Sequence, residues 1–277
     1  MAKLHPLNTP HMSKRIISAS YKDDTPAFKS EAFFRDYAQG FRILSTKVGP
    51  QRVSLLPQDV HCFVFWTKNP SPHFVENVGT LKSPWYLQWT ISGYGRDIET
   101  NLPDKQTVVE AFQAFSMRFG RERAVWRYDP ILISDRYSVE AHKTAFDALA
   151  EQLAPYTDTC VISFLDEYSK IQQEVRTGAM RSPTTAEILA LSEHIGATAA
   201  RLGLQVQTCA EGKYDLRRFG IAEGPCVDPD KVEALTGEKL PDAVRNPGSF
   251  RRCLCAVNTD IGEYHTCQHG CRYCYAK

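Results

Sequence analysis

Short apolar runs alternate with amphipathic stretches along most of this chain. The apolar runs are rich in Val, Ile, Phe, Trp and Thr, and several are apolar nearly throughout. That pattern is typical of strands buried on both faces of a parallel sheet. The predicted strands are residues 15–20, 62–66, 85–92, 124–128, 160–164 and 204–208.

Helices are predicted between these strands from the residues that begin and end them. Asp104 and Ser138 are suitable N-caps, and Gly40, Gly120 and Gly203 follow the last residues of three stretches. Capping side chains before a helix and glycines after it are the expected signals of its ends. The predicted helices are residues 30–39, 105–119, 138–153 and 184–202.

Strand–helix alternation over this length predicts an α/β fold, a TIM-like (β/α) barrel that is complete or partial. We assign the barrel to residues 14–250, with a flexible arm over 1–13 before it and a cysteine-rich segment over 251–277 after it. Two polar stretches interrupt the alternation. Residues 168–183 are expected to form a lid or an inserted helix, and residues 232–249 an irregular connection.

The predicted strands run directly into polar residues. Lys68 and Asn69 follow the second strand and offer an ammonium and an amide, while Glu211 lies just after the last. Arg127 and Asp129 end the fourth strand: the first suits a carboxylate or phosphate, and the second an acid–base role or a ribose contact. The alternative is an internal ion pair. Because active sites of parallel barrels form at the carboxyl ends of the strands, a shared polar site is expected there.

Composition limits the kind of protein. The chain has 277 residues, 43% of them hydrophobic and 23% charged, with a net charge of +1. We expect a soluble cytoplasmic protein without membrane partners, because no secretory h-region and no apolar run of about 18 residues is present. The charge does not indicate nucleic acid, which remains an alternative partner. In the cytosol, clustered cysteines point to metal or redox chemistry rather than disulfides.

Three cysteines near the C-terminus have the most informative spacing. Cys267, Cys271 and Cys274 read C-x3-C-x2-C. Three thiolates at one [4Fe–4S] cluster leave one iron open to a substrate or cofactor. Structural zinc is the main alternative. Cys271 and Cys274 form a C-x2-C knuckle, and Cys253-x-Cys255 could supply the other two zinc ligands.

Four other cysteines could form a second set of thiolates. Cys209 and Cys226, together with Cys253 and Cys255, could hold another cluster or a zinc ion. The alternative for each is a small buried hydrophobe, the common fate of a free cysteine. For Cys62 and Cys160, which lie inside predicted strands, we predict buried side chains that bind no metal.

The cysteine motif resembles that of the radical S-adenosylmethionine (SAM) superfamily. Cys267, Cys271, Tyr273 and Cys274 match its signature, and the surrounding sequence is similar to the cluster loop of spore photoproduct lyase. The whole chain resembles a bacterial family, domain of unknown function 1848. The stretches that carry this likeness are residues 18–20, 64–70, 126–130, 208–211 and 252–276.

The resemblance implies a cluster-bound SAM that is cleaved to start radical chemistry on a small-molecule substrate. An electron donor such as flavodoxin or ferredoxin is the implied partner. The cysteine loop comes last here rather than first, so the order looks circularly permuted, and residues 253–257 are the expected strand before it. The Gly-Gly-Glu that usually binds the SAM methionyl group is missing from the sequence, and Glu211 or Asp129 is the candidate replacement.

The predicted roles are therefore as follows. The catalytic candidates are Asp129, Arg127, Glu211 and Lys68; the cofactor-binding candidates are Tyr273, Glu211 and Asn69; the metal ligands are Cys267, Cys271, Cys274, Cys253, Cys255, Cys209 and Cys226. Three alternatives stay open: a non-radical [4Fe–4S] Lewis-acid lyase or desulfurase, a nucleic-acid lesion repair or binding protein, and a zinc-stapled barrel enzyme.

Overall fold

A computed structural model describes residues 14–46, 48–245 and 253–276 of the chain. Its strands are β1 Arg15–Ala19, β2 Phe41–Thr46, β3 Gly49–Ser54, β4 Val60–Thr67, β5 Trp85–Thr90, β6 Ala124–Ile131, β7 Thr159–Phe164, β8 Gln205–Thr208, β9 Ile221–Glu223 and β10 Asn258–Asp260. Its α-helices are α1 Thr25–Phe28, α2 Ser30–Gln39, α3 Pro72–Asn77, α4 Lys105–Phe119, α5 Val139–Leu153, α6 Gln172–Arg176, α7 Thr185–Leu202, α8 Pro229–Thr236 and α9 Asp242–Arg245.

Eight strands form one parallel sheet, in the order β10-β1-β4-β5-β6-β7-β8-β9. Every adjacent pair in it is parallel, and β2 and β3 form a separate antiparallel hairpin. The predicted α/β class with a parallel sheet is confirmed. Closure into a barrel is not, because β9 and β10 end the sheet on opposite sides and no ladder joins them in the described ranges.

The six predicted strands and four predicted helices are confirmed, with ends shifted by at most a few residues. The capping signals explain the helices: the side chains of Asp104 and Ser138 accept from backbone N–H groups in the first turns of α4 and α5. Thr184 and Glu187 form a capping box at the start of α7. Gly40 ends α2 in the left-handed region that glycine adopts most easily.

Some elements differ from the prediction. Residues 253–257 are not a strand; the strand follows them as β10, because Ala256 pairs with the backbone of Val227 rather than with β1. The connection over 232–249 contains α9 and most of α8 in its described part, and the stretch 168–183 contains α6. The predicted arm over residues 1–13 lies outside the described residues.

The two faces of the sheet are covered differently. Helices pack aromatic side chains on one face, where the ring of Phe74 in α3 lies 4.9 Å from Phe65 and that of Phe112 in α4 lies 5.5 Å from Trp89. Each fully buried side chain of this size adds about 1.5–3 kcal/mol. On the other face, called the inner face below, five strands contribute to one apolar cluster that loop residues complete: Ile16, Val64, Tyr86, Val125, Val161, Cys226, Val227 and Ala256.

No helix in the described ranges is both long and apolar enough to cross a membrane.

Candidate functional site

The tail group, defined as Cys267, Cys271 and Cys274, lies at the edge where the sheet strands end. The loop after β5 holds it in place. The backbone N–H of Arg272 donates to the carbonyl of Ile98 (2.9 Å), and that of Asn101 donates to the carbonyl of His269 (3.0 Å). These contacts fix the backbone of the segment that carries the tail group.

Gly270 allows this close backbone approach. Its φ of +68° lies in the left-handed region, where a side chain is strained. A Cβ at this position would also lie 3.2 Å from the side-chain nitrogen of Asn101 and 3.3 Å from Cβ of Thr100. The glycine between Cys267 and Cys271 is therefore required by conformation and by space.

Glu99 is a buried carboxylate beneath the tail group. Lys68 Nζ lies 2.7 Å from Oε1 and Lys105 Nζ 3.2 Å from Oε2, while the hydroxyls of Ser92 (2.9 Å) and Tyr273 (2.6 Å) donate to Oε1. Burial alone would raise the pKa of Glu99, but the two ammonium groups and these hydrogen bonds outweigh it and lower the pKa to about 2. The carboxylate is thus ionised and anchors Tyr273.

The tail thiols are close enough to influence one another. Burial raises the pKa of Cys267 to about 12, with further increases from Asp24, Cys271 and Cys274. Burial raises the pKa of Cys271 to about 11, although nearby Lys68 opposes the change. The free thiols of Cys267 and Cys271 are therefore protonated at neutral pH, and a metal that binds them must release their protons.

Backbone donors already reach two of these sulfurs. The backbone N–H of Ala276 donates to Cys274 Sγ (3.3 Å), and that of His269 lowers the pKa of the Cys267 thiol. Tyr273 lies beside Cys271 and lowers the pKa of its thiol, but its hydroxyl proton is donated to Glu99. The His269 ring does not contact sulfur; its Nε2 lies 2.7 Å from Asp24 Oδ2. Asp24 also accepts from the backbone N–H of Lys68 and so links the tail segment to β4.

A second set of thiols, the four-thiol group of Cys209, Cys226, Cys253 and Cys255, is brought together on the inner face. Cys226 belongs to the apolar cluster of the inner face, and Cys209 and Cys255 pack against that cluster. The pKa of Cys226 responds to Cys209 and Cys255, and that of Cys253 responds to Cys255, so the four thiols that the sequence analysis grouped lie near one another. Hydrogen bonds from Cys209 and Cys255, together with the charge of Arg127, lower the pKa of Cys226 well below its usual value despite burial.

Arg127 connects the four-thiol group with the polar strand ends. Its Nη1 donates to Cys226 Sγ (3.0 Å) and to Gln88 Oε1 (3.2 Å), and its Nε donates to Asp129 Oδ1 (3.2 Å). The internal ion pair considered from the sequence is present. Lys68 interacts electrostatically with Glu99, with Cys271 of the tail group and with Asp129, the partner of Arg127.

The remaining predicted residues lie at the same edge. Glu211 accepts from the backbone N–H of Phe164 (3.0 Å), and burial raises the pKa of its carboxyl. The backbone N–H of Asn69 donates to the hydroxyl of Thr67 (3.1 Å). Their roles toward a cofactor stay predictions.

Two residues of this site were missed by the sequence analysis. Glu99 lies in a polar loop without a recognisable motif, and Asp24 precedes a helix of four residues as an ordinary N-cap. Both acquire their role from contacts with residues far along the chain. Cys62 and Cys160 are fully buried, as predicted.

Across residues 14–46, 48–245 and 253–276, no group of three or more His, Cys, Asp or Glu side chains is arranged to hold a metal ion.

Fold and site together describe a parallel α/β protein with two sets of thiols at its inner face and strand ends. A family model, the domain of unknown function DUF1848, matches residues 16–276. The chain belongs to this family.

Other comparisons add little. No curated protein matches the sequence. A solved structure from Bacteroides thetaiotaomicron VPI-5482, of a protein assigned as an alpha-L-fucosidase, aligns over 86% of this chain and 90% of its own. The identity is 9% and the TM-score 0.29, so this likeness supports no functional statement.

Proposed function

We propose that this protein is a radical-SAM-like iron–sulfur enzyme that acts on a small-molecule substrate. One observation supports it above the others: three thiols at the spacing typical of that superfamily lie in one segment, docked on the loop after β5, where they influence one another's pKa. The donor set suits a [4Fe–4S] cluster with one iron free of protein ligands.

Cys267, Cys271 and Cys274 would hold the cluster. When bound and reduced, such a cluster supplies the electron for reductive cleavage of SAM. The chain has to lose the thiol protons on loading, and Lys68 beside Cys271 favours the thiolate. The backbone N–H groups of His269 and Ala276 would stabilise sulfur charge after loading, as hydrogen bonds to cluster sulfurs do.

The neighbouring charges are the proposed contacts for SAM and substrate. Asp129 and Glu211 are the carboxylates at the strand ends that suit the SAM ammonium group, and Lys68 suits its carboxylate. Arg127 contributes through Asp129, because its guanidinium already donates to that carboxylate and to Cys226. Asn69 remains a candidate for the adenosyl part.

The finer fold prediction belongs to the same proposal. We take the sheet to be a partial barrel, since its strands follow one another in nearly sequential order and five of them contribute to one inner cluster. A cytoplasmic location and an electron donor of the flavodoxin or ferredoxin type also belong to it, since the chemistry needs reducing conditions.

The test is SAM cleavage by the purified protein. The protein is purified without oxygen, reconstituted with iron and sulfide and reduced with dithionite, and 5′-deoxyadenosine is measured. We expect product from the wild type and only background from Cys271→Ala. The matched control is Cys62→Ala, which removes a fully buried thiol that belongs to neither set of proposed ligands and is expected to retain activity.

Equal 5′-deoxyadenosine formation by wild type and Cys271→Ala would defeat the proposal. Zinc without iron or sulfide in the tail group would favour the zinc-stapled alternative. Substrate turnover without SAM or reductant would favour Lewis-acid chemistry at an open iron.

A further inference from the structure

The four-thiol group is assembled from three segments that are distant in the sequence. Cys209 follows β8, Cys226 follows β9, and Cys253 and Cys255 precede β10. Cys226 lies in the inner-face cluster, Cys209 and Cys255 pack against it, and Cys253 is two residues from Cys255. The pKa values of these thiols respond to one another in the order Cys209, Cys226, Cys255, Cys253. Four cysteines reaching one place through the tertiary fold need a physical reason, because free cysteines pack equally well when scattered.

The donors around these sulfurs supply that reason. The backbone N–H groups of Cys226 and Val227 point at Cys255 Sγ, at 3.2 and 3.3 Å. Arg127, which is only 6% exposed, donates to Cys226 Sγ at 3.0 Å. A neutral thiol is a weak acceptor, whereas a thiolate is stabilised by N–H donors and by a cation. The surroundings therefore suit sulfur that carries negative charge.

A core cysteine of the same protein shows the contrast. Cys62 is fully buried, and its thiol donates to the carbonyl of Phe63 at 3.5 Å. Burial raises the pKa of Cys62, as expected for an inert structural thiol. Cys226 is buried equally deeply but accepts from a guanidinium, which is the arrangement of a ligating sulfur.

We propose that Cys209, Cys226, Cys253 and Cys255 form a second metal centre that is separate from the tail group and bound by four thiolates. Four thiolates suit a thiophilic centre, either a tetrahedral zinc ion or an iron–sulfur cluster. Binding gathers the neighbouring side chains around one centre. Arg127 and the two backbone donors to Cys255 then act on the bound sulfurs and tune the centre.

The test separates the two centres by variants. Iron, zinc and acid-labile sulfide are counted per chain in protein purified without oxygen, from the wild type and from a variant with Cys267, Cys271 and Cys274 all changed to Ser. We expect that variant to keep the metal of the four-thiol group: about half of the iron and sulfide if both centres are clusters, or all of the zinc. Cys226→Ser should lose only the metal of the four-thiol group and should keep the iron of the tail group.

A labelling measurement on the folded wild type keeps the proposal testable if a variant fails to fold. In the folded wild type, the four thiols should resist alkylation until a chelator removes the metal, while Cys62→Ala leaves this protection unchanged. Iron with equal sulfide identifies a cluster, and zinc without sulfide identifies a single ion; either result supports the proposal.

A folded tail variant without metal would overturn the second centre, as would a Cys209–Cys226 disulfide in protein purified without oxygen. The two proposals fail separately. If the wild type does not cleave SAM although the tail variant still binds metal, the proposed function fails and the second centre stands.

Discussion

The tail group and the four-thiol group lie beside the same sheet but are built in different ways. The tail group comes from one short stretch, residues 267–274, whose backbone docks on the loop after β5 and whose His269 contacts Asp24. The four-thiol group needs three separate segments and a guanidinium from β6. Local sequence sets the spacing of the first, and only the tertiary fold assembles the second. A change that loosens the docking loop should therefore affect one group and spare the other.

The largest expected effect comes from Glu99→Gln. Without the carboxylate, Lys68 and Lys105 lose their partner in a buried position and Tyr273 loses its charged acceptor. Breaking such a pair costs about 3–5 kcal/mol. Urea unfolding should show this loss in the free energy of unfolding, and metal analysis should show that iron falls in the tail group but not in the four-thiol group.

The control for this change is Glu140→Gln. Its carboxylate pairs with Lys143 at 2.7 Å but is exposed, so removal should change the free energy of unfolding by about 0.5 kcal/mol or less. Equal losses for Glu99→Gln and Glu140→Gln would show that the buried network does not hold the tail segment.

The second effect is acid sensitivity. The folded pKa of Glu99, about 2, lies below its ordinary value of 4.5, so its stabilisation is complete above pH 4.5 and is lost as pH falls towards 2. The amount is about 3 kcal/mol. Glu187 and Glu233 also have pKa values of about 2 and titrate in this window. Denaturation from pH 7 to pH 3 should therefore be compared between wild type and Glu99→Gln. The pH dependence of the variant should be smaller by about 2 kcal/mol over this range, because the rest of the loss falls below pH 3.

The smallest expected effect is that of Gly270→Ala. The left-handed backbone costs about 1–2 kcal/mol with a side chain, and the new Cβ would crowd Thr100 and Asn101. Gly178→Ala is the matched control, because its φ is +74° but nothing lies within 4 Å. In urea unfolding, Gly178→Ala should show the backbone cost alone and Gly270→Ala a larger loss because of the added crowding. Only Gly270→Ala should reduce iron in the tail group. Iron loss in both would mean that docking of this loop is not what matters.

Much of the sheet could be predicted because its strands carry strong local signals. The apolar runs around Phe63, Trp89 and Val161 clearly indicate buried strands, and caps such as Ser138 indicate where helices begin. Shorter elements lack such signals. β9 and β10 have three residues each, and the hairpin of β2 and β3 mixes polar and apolar positions, so pairing partners rather than composition determine these strands.

The residues of the site also differ in how well the sequence predicts them. The spacing of Cys267, Cys271 and Cys274 is visible in the sequence because all three lie in one loop. Nothing near Glu99 indicates that two lysines and Tyr273 will surround it, since those partners are up to 174 residues away. The sequence left the grouping of the four thiols open, because their segments come together only in the tertiary fold.

The pairing of β10 with β1 has a consequence for biosynthesis. Ser18 and Asp260, which face each other in this ladder and share a hydrogen bond, are separated by 242 positions. During synthesis, the first strand therefore lacks its outer neighbour until the 242 positions from Ser18 to Asp260 have been translated. Nascent or prematurely terminated chains would carry an uncovered strand edge, which is prone to aggregate.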